Sequence, residues 1–368
     1  MKKTKIGIVG CGDISSIYLT NLTNMFTEVE IAGVCDLIDE RAERAFKEYN
    51  LPKKYKDMHE LFADDDVDIV LNLTRPYEHH DVNMAAIAAG KHVYAEKPLG
   101  ATLEEGIESR NAAEKKGVLL GGAPDTFLGA GIQTCRKLID DGYIGKPIAA
   151  TAFWGYRGHE SWHPDPEFYY QFGGGPMLDM GPYYVTALVS LLGAVESVSG
   201  MTRRTFETRR ITSEKKYGQV FDVEVPTLVT GQMAFANGAV GTIMQTYDIH
   251  AHNLPIIEIY GTEGTISVPD PNHFDGPVRL YRAESKTFMD MPLTFGYPTN
   301  SRGLGVADMA RAALAKDKPR AGVDLTFHVL EVMTGFIRSG ELKVPVDISS
   351  RPERPTPMLS GLLPGTVK

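Results

Sequence analysis

A glutamate and a lysine end a short apolar run in the segment KHVYAEKPLG, at residues 91–100. The ammonium group of Lys97 can hydrogen-bond a substrate hydroxyl and stabilise the negative charge that develops on its oxygen as a hydride leaves the carbon. Pro98 limits Lys97 to an extended backbone, and Glu96 can hold the loop or compensate the charge. By itself the pattern fits hydride-transfer chemistry at Lys97 and a solvated lysine after a strand equally well.

A second group of polar residues lies in GGGPMLDMGPYY, at residues 173–184. Pro182 is compatible with a helix only in its first turn, so the sequence predicts a helix that begins around residues 178–179. Asp179 and Tyr183 are then four residues apart on one face of that helix. The alternatives are a helix N-cap for Asp179 and a core position for Tyr183, with the adjacent tyrosine as its rival.

The segment GYRGHESWHPDPEFYYQF, at residues 155–172, combines aromatic and polar side chains. Trp162 and His163 suit a sugar, because the apolar C–H faces of a sugar stack on aromatic rings while its hydroxyls hydrogen-bond to polar groups. The histidines and acids here also resemble a set of metal ligands, but Pro164 and Pro166 interrupt any helix that would carry them. The sequence therefore favours substrate contact and predicts no metal, with ordinary loop packing as the alternative.

The first turn of the chain reads GCGDIS at residues 10–15, a G-x-G-x-x-G pattern with serine in the third place. It follows a strand and opens a helix, so the pyrophosphate of a dinucleotide can approach its backbone N–H groups. The second strand ends in Asp36, whose carboxylate can bind the adenosine ribose and would repel a 2′-phosphate. The candidate cofactor ligands here are Gly10, Gly12, Asp13, Ile14 and Asp36. They predict NAD rather than NADP, with a plain turn and a helix cap at Asp36 as the alternative.

Apolar runs alternate with helical patterns over the first 123 residues. The predicted strands are residues 5–10, 31–36, 68–74, 91–97 and 117–123, and the predicted helices are residues 39–50, 77–90 and 102–117. This alternation predicts right-handed crossovers and a doubly wound parallel sheet, the Rossmann fold, at residues 1–123. Ligands of such a sheet bind at the carboxyl ends of the strands, where Lys97 and the glycine turn are expected.

The pattern changes after residue 123. Further strands are predicted at residues 197–206, 227–236, 238–248, 255–261 and 264–269, and helices at 127–140, 303–316 and 324–340. We expect an α/β domain with a large, mostly antiparallel open sheet at residues 124–350, which binds substrate, and a Pro-rich extended tail at 351–368. The open sheet face predicts a homodimer or homotetramer.

A local basic patch lies in RRTFETRR, at residues 203–210, with Lys215 and Lys216 nearby. It can receive an anionic sugar or a partner subunit. The favoured interpretation is a solvated strand edge whose charges prevent aggregation.

The composition is that of a soluble globular protein, with 43% hydrophobic and 23% charged residues in a chain of 368. A net charge of −9 argues against a nucleic-acid partner, which requires a dense basic face. The three scattered cysteines predict neither a disulfide framework nor a zinc site. The apolar run after the first lysines is too short for a signal peptide and no stretch is long enough to span a bilayer, so we expect a cytoplasmic protein without a membrane partner.

Taken together, these motifs resemble those of the glucose–fructose oxidoreductase/inositol dehydrogenase (Gfo/Idh/MocA) family. The segments that carry the resemblance are GIVGCGDIS, TRPYEHH at residues 74–80, AGKHVYAEKPLG and GGGPMLDMGPYY. The resemblance implies a Rossmann domain joined to an α/β domain with a large open sheet, and NAD(P)-dependent oxidation or reduction of sugars, polyols and related alcohols. It places Lys97 at the active site. The candidate cofactor contacts that it adds are Thr74, Pro76, His79, Glu96 and Lys97, where a helix-surface position is the alternative for the histidine.

The resemblance also bears on the acid/base group. Many relatives have histidine where this chain has Tyr183, and the departure is similar to the sugar and dihydrodiol dehydrogenase branches, in which a tyrosine serves as acid/base. The ammonium of Lys97 and an oxidised nicotinamide would both favour the phenolate and lower the tyrosine pKa.

The leading hypothesis is an NAD-dependent dehydrogenase of a sugar, polyol or glycoside. Tyr183 takes the hydroxyl proton, Lys97 stabilises the oxyanion and Asp179 orients them. The candidate substrate ligands are Lys97, Trp162, His163, Asp179 and Tyr183. One alternative is an NAD-dependent glycosidase that oxidises, eliminates and reduces with recycled NAD. The other is a non-catalytic NAD and sugar sensor.

Overall fold

Parallel strands alternate with helices in the first third of the chain. In the computed structural model, which describes residues 3–368, five of these strands form one sheet. The strands are β1 (Thr4–Val9), β2 (Val29–Cys35), β3 (Ile69–Asn72), β4 (His92–Ala95) and β5 (Leu120–Gly122). The helices are α1 (Ser15–Asn24), α2 (Asp39–Glu48), α3 (Met58–Ala63), α4 (His79–Ala88) and α5 (Leu103–Lys116). The predicted Rossmann fold is confirmed, and α3 is the helix that the sequence analysis missed.

The strand order brings the carboxyl ends of β1 and β3 together. The sheet runs β2-β1-β3-β4-β5 with every neighbouring pair parallel. Side chains on both faces are covered, as Ile6, Ile8 and Val70 show by being completely buried, which explains the continuous apolar runs in the sequence. The chain leaves β1 toward β2 on one side and reaches β3 on the other, so the edge between β1 and β3 is the point where ligands of this fold bind.

A second, larger sheet follows. Within the described residues it contains nine strands in the order β15-β14-β13-β12-β6-β11-β10-β7-β16, in which β6 and β11 are parallel and the other pairs antiparallel. The elements are α6 (Ala130–Asp140), β6 (Pro147–Gly155), α7 (Pro176–Asp179), α8 (Gly181–Leu192), β7 (Val195–Arg203), β8 (Thr208–Arg210), β9 (Val220–Asp222), β10 (Leu228–Phe235), β11 (Val240–Thr246), β12 (Ile257–Gly261), β13 (Gly264–Val268), β14 (Val278–Arg282), β15 (Phe288–Met291), α9 (Leu304–Ala315), α10 (Val323–Leu342) and β16 (Val346–Asp347). The predicted mostly antiparallel open sheet is confirmed.

Several strands of this second sheet escaped the sequence analysis. The central strand β6 reads PIAATAFWG, and alanine is a weak strand former. The outer strands β14, β15 and β16 are five, four and two residues long. The strands β8 and β9 pair with each other in a separate two-stranded sheet. Short or alanine-rich strands acquire their structure from neighbouring strands rather than from their own pattern.

Helices cover one face of the large sheet, whereas the other face is partly exposed to solvent. Helices α6, α8 and α10 pack on one face. On the other face, Met201 of β7 is 75% exposed and Val240 of β11 is 50% exposed. None of the helices among the described residues is both long and apolar enough to cross a membrane.

Residues after the large sheet return to the first domain. The backbone N–H of Gly122 in β5 donates to the carbonyl of Ala321 at 3.0 Å. Asp125 accepts the backbone N–H groups of Gly303 and Gly305, at 2.9 and 3.0 Å, directly before and within the first turn of α9. These hydrogen bonds attach the last helices to the edge of the Rossmann sheet, so the chain crosses between the two domains more than once.

The Pro-rich tail at residues 351–368 has no helix or strand. It is tied to the protein along its length: Met358 donates its N–H to Gln133 Oε1 at 2.8 Å, and Arg320 donates to the carbonyl of Lys368 at 2.7 Å. The side chain of Val367 is buried. These hydrogen bonds fix the tail against the domains that precede it, and its last residues contain turns at 360–361 and 364–365.

Candidate active site

The glycine turn after β1 lies against the end of β3. Gly10 has a φ of +99°, and a Cβ built there would lie 2.8 Å from backbone atoms of Leu73, so a larger residue would be both strained and too close. Apart from Gly12 itself and its two chain neighbours, no described residue has a heavy atom within 4 Å of a Cβ built at Gly12. The turn thus has an open approach to its backbone in front of α1, which fits the pyrophosphate of a dinucleotide.

Asp36 holds this turn in place. Its Oδ2 accepts the backbone N–H of Cys11 at 2.6 Å, and its Oδ1 accepts that of Ile38 at 2.7 Å, just before α2. The thiol of Cys11 is buried, and burial raises its pKa to about 12. Asp36 lies where the sequence analysis put it, at the end of β2, and the geometry adds the role of bracing the glycine turn.

Lys97 lies at the carboxyl end of β4 and reaches the second domain. Its Nζ donates to Asp179 Oδ1 at 2.7 Å and to the backbone carbonyl of Asp179 at 2.8 Å. The neighbouring Glu96 accepts the hydroxyl of Tyr18 at 2.8 Å and the backbone N–H of Lys97 at 2.9 Å. Glu96 therefore fixes the loop that presents Lys97, as one of the two roles proposed from the sequence requires.

His79 is buried between two loops and does not lie on the surface of its helix. Its side chain is completely buried, with Nδ1 2.7 Å from the carbonyl of Pro98 and Nε2 3.0 Å from that of Thr74. Burial lowers its pKa. The helix-surface alternative is wrong, because the imidazole connects the loop after β3 with the loop after β4, and Pro76 starts the short 3-10 helix between Thr74 and His79.

Asp179 and Tyr183 do not share one helix, which corrects the sequence analysis. Asp179 ends α7, Met180 separates the two helices, and Tyr183 is the third residue of α8. Pro182 lies in the first turn of α8, where proline is tolerated. The N-cap alternative for Asp179 is also wrong, because its carboxylate faces Lys97 and not a helix N-terminus.

The carboxylate of Asp179 is the centre of the site. Tyr247, directly after β11, donates its hydroxyl to Asp179 Oδ2 at 2.9 Å, and His159 Nε2 lies 3.3 Å from the same oxygen. Burial alone would raise the pKa of Asp179, but the charge of Lys97 and the contact with His159 outweigh it and hold that pKa below its usual range. Burial likewise disfavours charged Lys97, but Asp179 outweighs it and raises the lysine pKa. The pair is ionised at neutral pH.

Tyr183 faces this pair, but its pKa departs from expectation. The Nζ of Lys97 lies 5.4 Å from the centre of the Tyr183 ring. Burial raises the pKa of the phenol, while the charges of Lys97 and Arg302 lower it, and the net direction is upward. The charge of Lys97 lowers the pKa of Tyr183 as expected, but burial has the larger effect.

The loop between β6 and α7 covers the site from the second domain. Trp162 donates its Nε1–H to the hydroxyl of Tyr156 at 3.2 Å and is otherwise exposed. His163 accepts the N–H of Asp165 on Nδ1 at 3.0 Å, and its Nε2 lies 4.0 Å from Asp13 Oδ2. The loop thus leaves Trp162 exposed 5.4 Å from the ring of His159, which contacts Asp179, and turns His163 toward the glycine turn. Within residues 3–368, no group of three or more His, Cys, Asp or Glu side chains is placed to hold a metal ion.

Arg209 in the basic segment is buried, so the solvated-edge interpretation is wrong for this residue. Its side chain is 3% exposed and donates to Glu160 Oε1 at 2.6 Å, to the Asp248 carboxylate and to the carbonyl of Tyr247 at 3.2 Å. Glu160 and Asp248 each follow a residue that contacts Asp179, namely His159 and Tyr247. Arg209 therefore joins the loop after β6 to the end of β11.

The two lysines of the patch also have acidic partners. Lys215 lies 2.7 Å from Asp165, and Lys216 lies 3.0 Å from Asp165 and 2.5 Å from Glu167. These pairs attach the β8–β9 hairpin to the loop that covers the site. A sequence pattern of clustered arginines and lysines gave no sign of this, because the acids that neutralise them are about 50 residues away along the chain.

Replacing Arg209 by methionine is expected to lower the free energy of unfolding by about 3–5 kcal/mol, because two buried carboxylates lose their cation. Urea unfolding followed by circular dichroism measures the change. Arg210→Met is the matched control, since Arg210 is exposed and the loss there should stay within about 0.5 kcal/mol. Equal stabilities of the two variants would contradict the ion cluster as a structural unit.

Sequence reasoning missed the partners of Asp179. Tyr247 was included only as the end of a predicted strand, and His159 only as a member of a possible metal set. The available signals were that Tyr247 lies near the end of the strand predicted at residues 238–248 and that His159 lies in the polar and aromatic segment at residues 155–172. The pairing of β6 with β11 in parallel register, Gly155 beside Thr246, is what brings them together.

Comparison with known proteins adds family and fold to this geometry. A family model described as an oxidoreductase family with NAD-binding Rossmann fold matches residues 4–122. A model of the GFO/IDH/MocA C-terminal domain matches residues 132–267.

Curated proteins similar to this chain include two inositol dehydrogenases. The inositol 2-dehydrogenase/D-chiro-inositol 3-dehydrogenase of Lactiplantibacillus plantarum is 34% identical over 148 residues, which are 39% of this chain and 42% of that protein. The myo-inositol 2-dehydrogenase of Thermotoga maritima is 26% identical over 265 residues, 71% of this chain and 74% of that protein. The matches with the first curated relatives span less than half of those proteins' length.

A solved structure has the same fold. Levoglucosan dehydrogenase in complex with NADH superposes with a TM-score of 0.81 at 20% sequence identity, over 95% of this chain and 100% of that chain. The likeness extends over both domains, so the arrangement of Rossmann sheet and large open sheet is shared as a whole.

Proposed function

Because the chain belongs to the Gfo/Idh/MocA family of oxidoreductases, we propose that it is an NAD-dependent dehydrogenase that oxidises a hydroxyl-bearing carbon of a sugar or polyol. The observation that carries the proposal is the contact between Lys97 of the first domain and Asp179 of the second. It lies at the edge of the Rossmann sheet where the glycine turn opens. Lys97 follows β4 and the glycine turn follows β1, so both lie at the carboxyl ends of parallel strands, where ligands of this fold bind.

Lys97 acts as the group that holds the substrate oxygen. Among the described residues, Asp179 engages two of the three N–H groups of Lys97, so one remains to donate to a hydroxyl. Because its pKa is raised, the lysine stays charged and cannot itself take the proton. Its charge stabilises the alkoxide that forms as the C–H bond breaks.

Tyr183 is the group proposed to take the hydroxyl proton. Its ring lies under the Lys97 ammonium, and the charges of Lys97 and Arg302 both favour its ionised form. Bound NAD supplies the hydride acceptor. The residues that would contact it are Gly10, Gly12, Asp13, Ile14, Asp36, Thr74, Pro76 and Lys97, while the buried His79 and Glu96 would act through the loops that they hold. The open backbone at the glycine turn and the loops braced by His79 and Glu96 support this set.

The names of the relatives guide the substrate class. They include dehydrogenases of inositol, D-xylose and levoglucosan, and we extend to this chain their common feature, a polyhydroxylated ring. The test is a screen of sugars, polyols and glycosides with NAD, in which NADH absorbance and aglycone release are followed together. Net NADH formation supports the dehydrogenase. Aglycone release without net NADH would replace it by a redox-recycling glycosidase, and binding without either product would favour a sensor.

Asp36 is proposed to select NAD over NADP. Its carboxylate is held at the end of β2 by two backbone N–H groups and would repel a 2′-phosphate. We expect Asp36→Asn to reduce the preference for NADH over NADPH on the order of tenfold, measured as the ratio of dissociation constants by nucleotide fluorescence. Asp39→Asn, in the first turn of α2, is the control. An unchanged ratio in Asp36→Asn would contradict the assignment.

We further infer that the chain forms a homo-oligomer through the open face of the large sheet. The exposed Met201 and Val240 lie on this face, and unprotected sheet faces of this size are normally covered. The molar mass in solution tests the inference. A dimer or tetramer that dissociates in Met201→Asp is expected, and a wild-type monomer at all concentrations would contradict it.

A further inference from the structure

A continuous wall of aromatic rings leads from Asp179 to the protein surface. The imidazole of His159, which contacts Asp179, stacks on Tyr169 with ring centres 3.7 Å apart and 11° between the planes. The rings of Tyr156 and Trp162 lie 5.5 and 5.4 Å from the same imidazole. Because stacked and edge-to-face rings pack in fixed geometries, the wall forms an ordered apolar surface beside the buried ion pair.

Trp162 is the solvent-facing end of this wall. The residue is 57% exposed, although its Nε1–H is already bonded to the Tyr156 hydroxyl. This hydrogen bond fixes the orientation of the indole while leaving the ring accessible. A ligand that stacks on the ring therefore meets a surface that needs little further ordering, which favours binding.

The charged groups next to the wall are paired with one another. Lys97 pairs with Asp179, and Arg209 pairs with Glu160 and Asp248. Each of these cations is already engaged by a carboxylate. A phosphate or carboxylate on a substrate that recruited one of them would leave a buried carboxylate unpaired. An uncharged substrate fits this environment.

We propose that Trp162 forms an outer subsite for the second ring of an uncharged glycoside. The reacting ring lies beside Lys97, and the ring joined to it through the glycosidic bond stacks on the indole. The second ring is a sugar or an aryl aglycone, since both present an apolar face to an aromatic side chain. This inference rests on the proposed function, because it takes the alcohol at Lys97 as the reacting group.

Matched pairs of glycosides test the subsite. The probes are phenyl and methyl glycosides of glucose, galactose and xylose, with cellobiose as the two-sugar arm and phenyl glucuronide as the charged arm. We expect the wild type to prefer the two-ring over the one-ring member of a pair on the order of three- to tenfold in kcat/KM, the range of one stacking contact. The charged glycoside should be the poorest of the phenyl series.

Two variants test whether Trp162 causes the preference for two-ring substrates. Trp162→Ala should reduce the ratio of kcat/KM for the two-ring and one-ring substrates to about one. Tyr217→Ala, which removes a 75% exposed aromatic residue from the β8–β9 hairpin, should keep the wild-type ratio. The same ratio is measured in binding, as dissociation constants for the NADH-loaded protein by calorimetry.

The binding arm separates failure of the subsite from failure of the proposed function. A two-ring preference in binding that Trp162→Ala abolishes, without NADH formation from any probe, would support the subsite and contradict the dehydrogenase. NADH formation without a two-ring preference would leave the dehydrogenase standing and overturn the subsite. A preference that survives in Trp162→Ala, tighter binding of the glucuronide, or no binding of any glycoside would also overturn it.

Discussion

Replacing Lys97 by methionine is expected to lower kcat by about two to four orders of magnitude, the range for loss of a group that stabilises charge in the transition state. The substitution keeps the length of the side chain but removes its charge and its N–H groups. The substrate oxygen then loses its donor, and Asp179 loses the nearest cation. Steady-state rates at saturating NAD measure the effect, and NADH fluorescence checks that cofactor still binds.

The same substitution leaves Asp179 buried without its counter-ion, so the variant can lose stability as well as activity. Lys97→Met combined with Asp179→Asn removes both charges and should recover much of the stability but not the rate. Lys116→Met is the control, because Lys116 is an exposed lysine at the end of α5 that donates to a backbone carbonyl. A kcat within tenfold of wild type in a folded Lys97→Met protein would overturn the role of the lysine.

Tyr183→Phe is expected to lower kcat by about two orders of magnitude or more, the usual contribution of a positioned acid/base group. The loss of one hydroxyl oxygen leaves the packing of α8 intact. The neighbouring Tyr184, which is buried and whose pKa burial also raises, is the matched control, and Tyr184→Phe should stay close to the wild-type rate. If Tyr183→Phe turns over normally while NAD binds, another residue takes the proton.

The pH dependence follows from the direction of the tyrosine pKa. Because burial raises the pKa of Tyr183 above its usual value of 10 despite Lys97 and Arg302, the base is mostly protonated at neutral pH. Each increase in pH enlarges the ionised fraction, so kcat should rise through the alkaline range. Lys97 causes no decrease there, since Asp179 raises its pKa as well. The rise should be absent in Tyr183→Phe. A wild-type profile that falls above neutral pH would contradict the assignment.

The stability of the ion pair increases with pH as catalysis does, but it does so in the acid range. Lys97 and His159 hold the pKa of Asp179 below the value that it has in the unfolded chain. Its stabilising contribution is therefore present above about pH 4 and is lost as the pH falls through the lower folded value. Acid should weaken the contact between the two domains, while alkaline conditions favour turnover.

The sequence by itself determined the parts whose geometry is local. Position 10 requires glycine, because its φ is positive and a neighbouring backbone lies close to it. The strand before it and the helix after it have residue patterns typical of a strand and a helix. Lys97 at the end of β4 follows from the alternation of apolar runs and helices. Gly117 ends α5 in the left-handed conformation, which glycine adopts without strain. Each of these depends on neighbours within a few residues, which a single sequence contains.

Only the tertiary structure decided which side chains meet. The break at Met180 frees Asp179 from the helix that carries Tyr183, and the parallel pairing of β6 and β11 brings Tyr247 to its carboxylate. The sequence predicted that Arg209 belongs to a solvated patch, but in the structure it is paired with acids from two distant segments. Strand register and domain docking set these contacts through the burial of large surfaces, and no local pattern of residue types records which distant partners that burial selects.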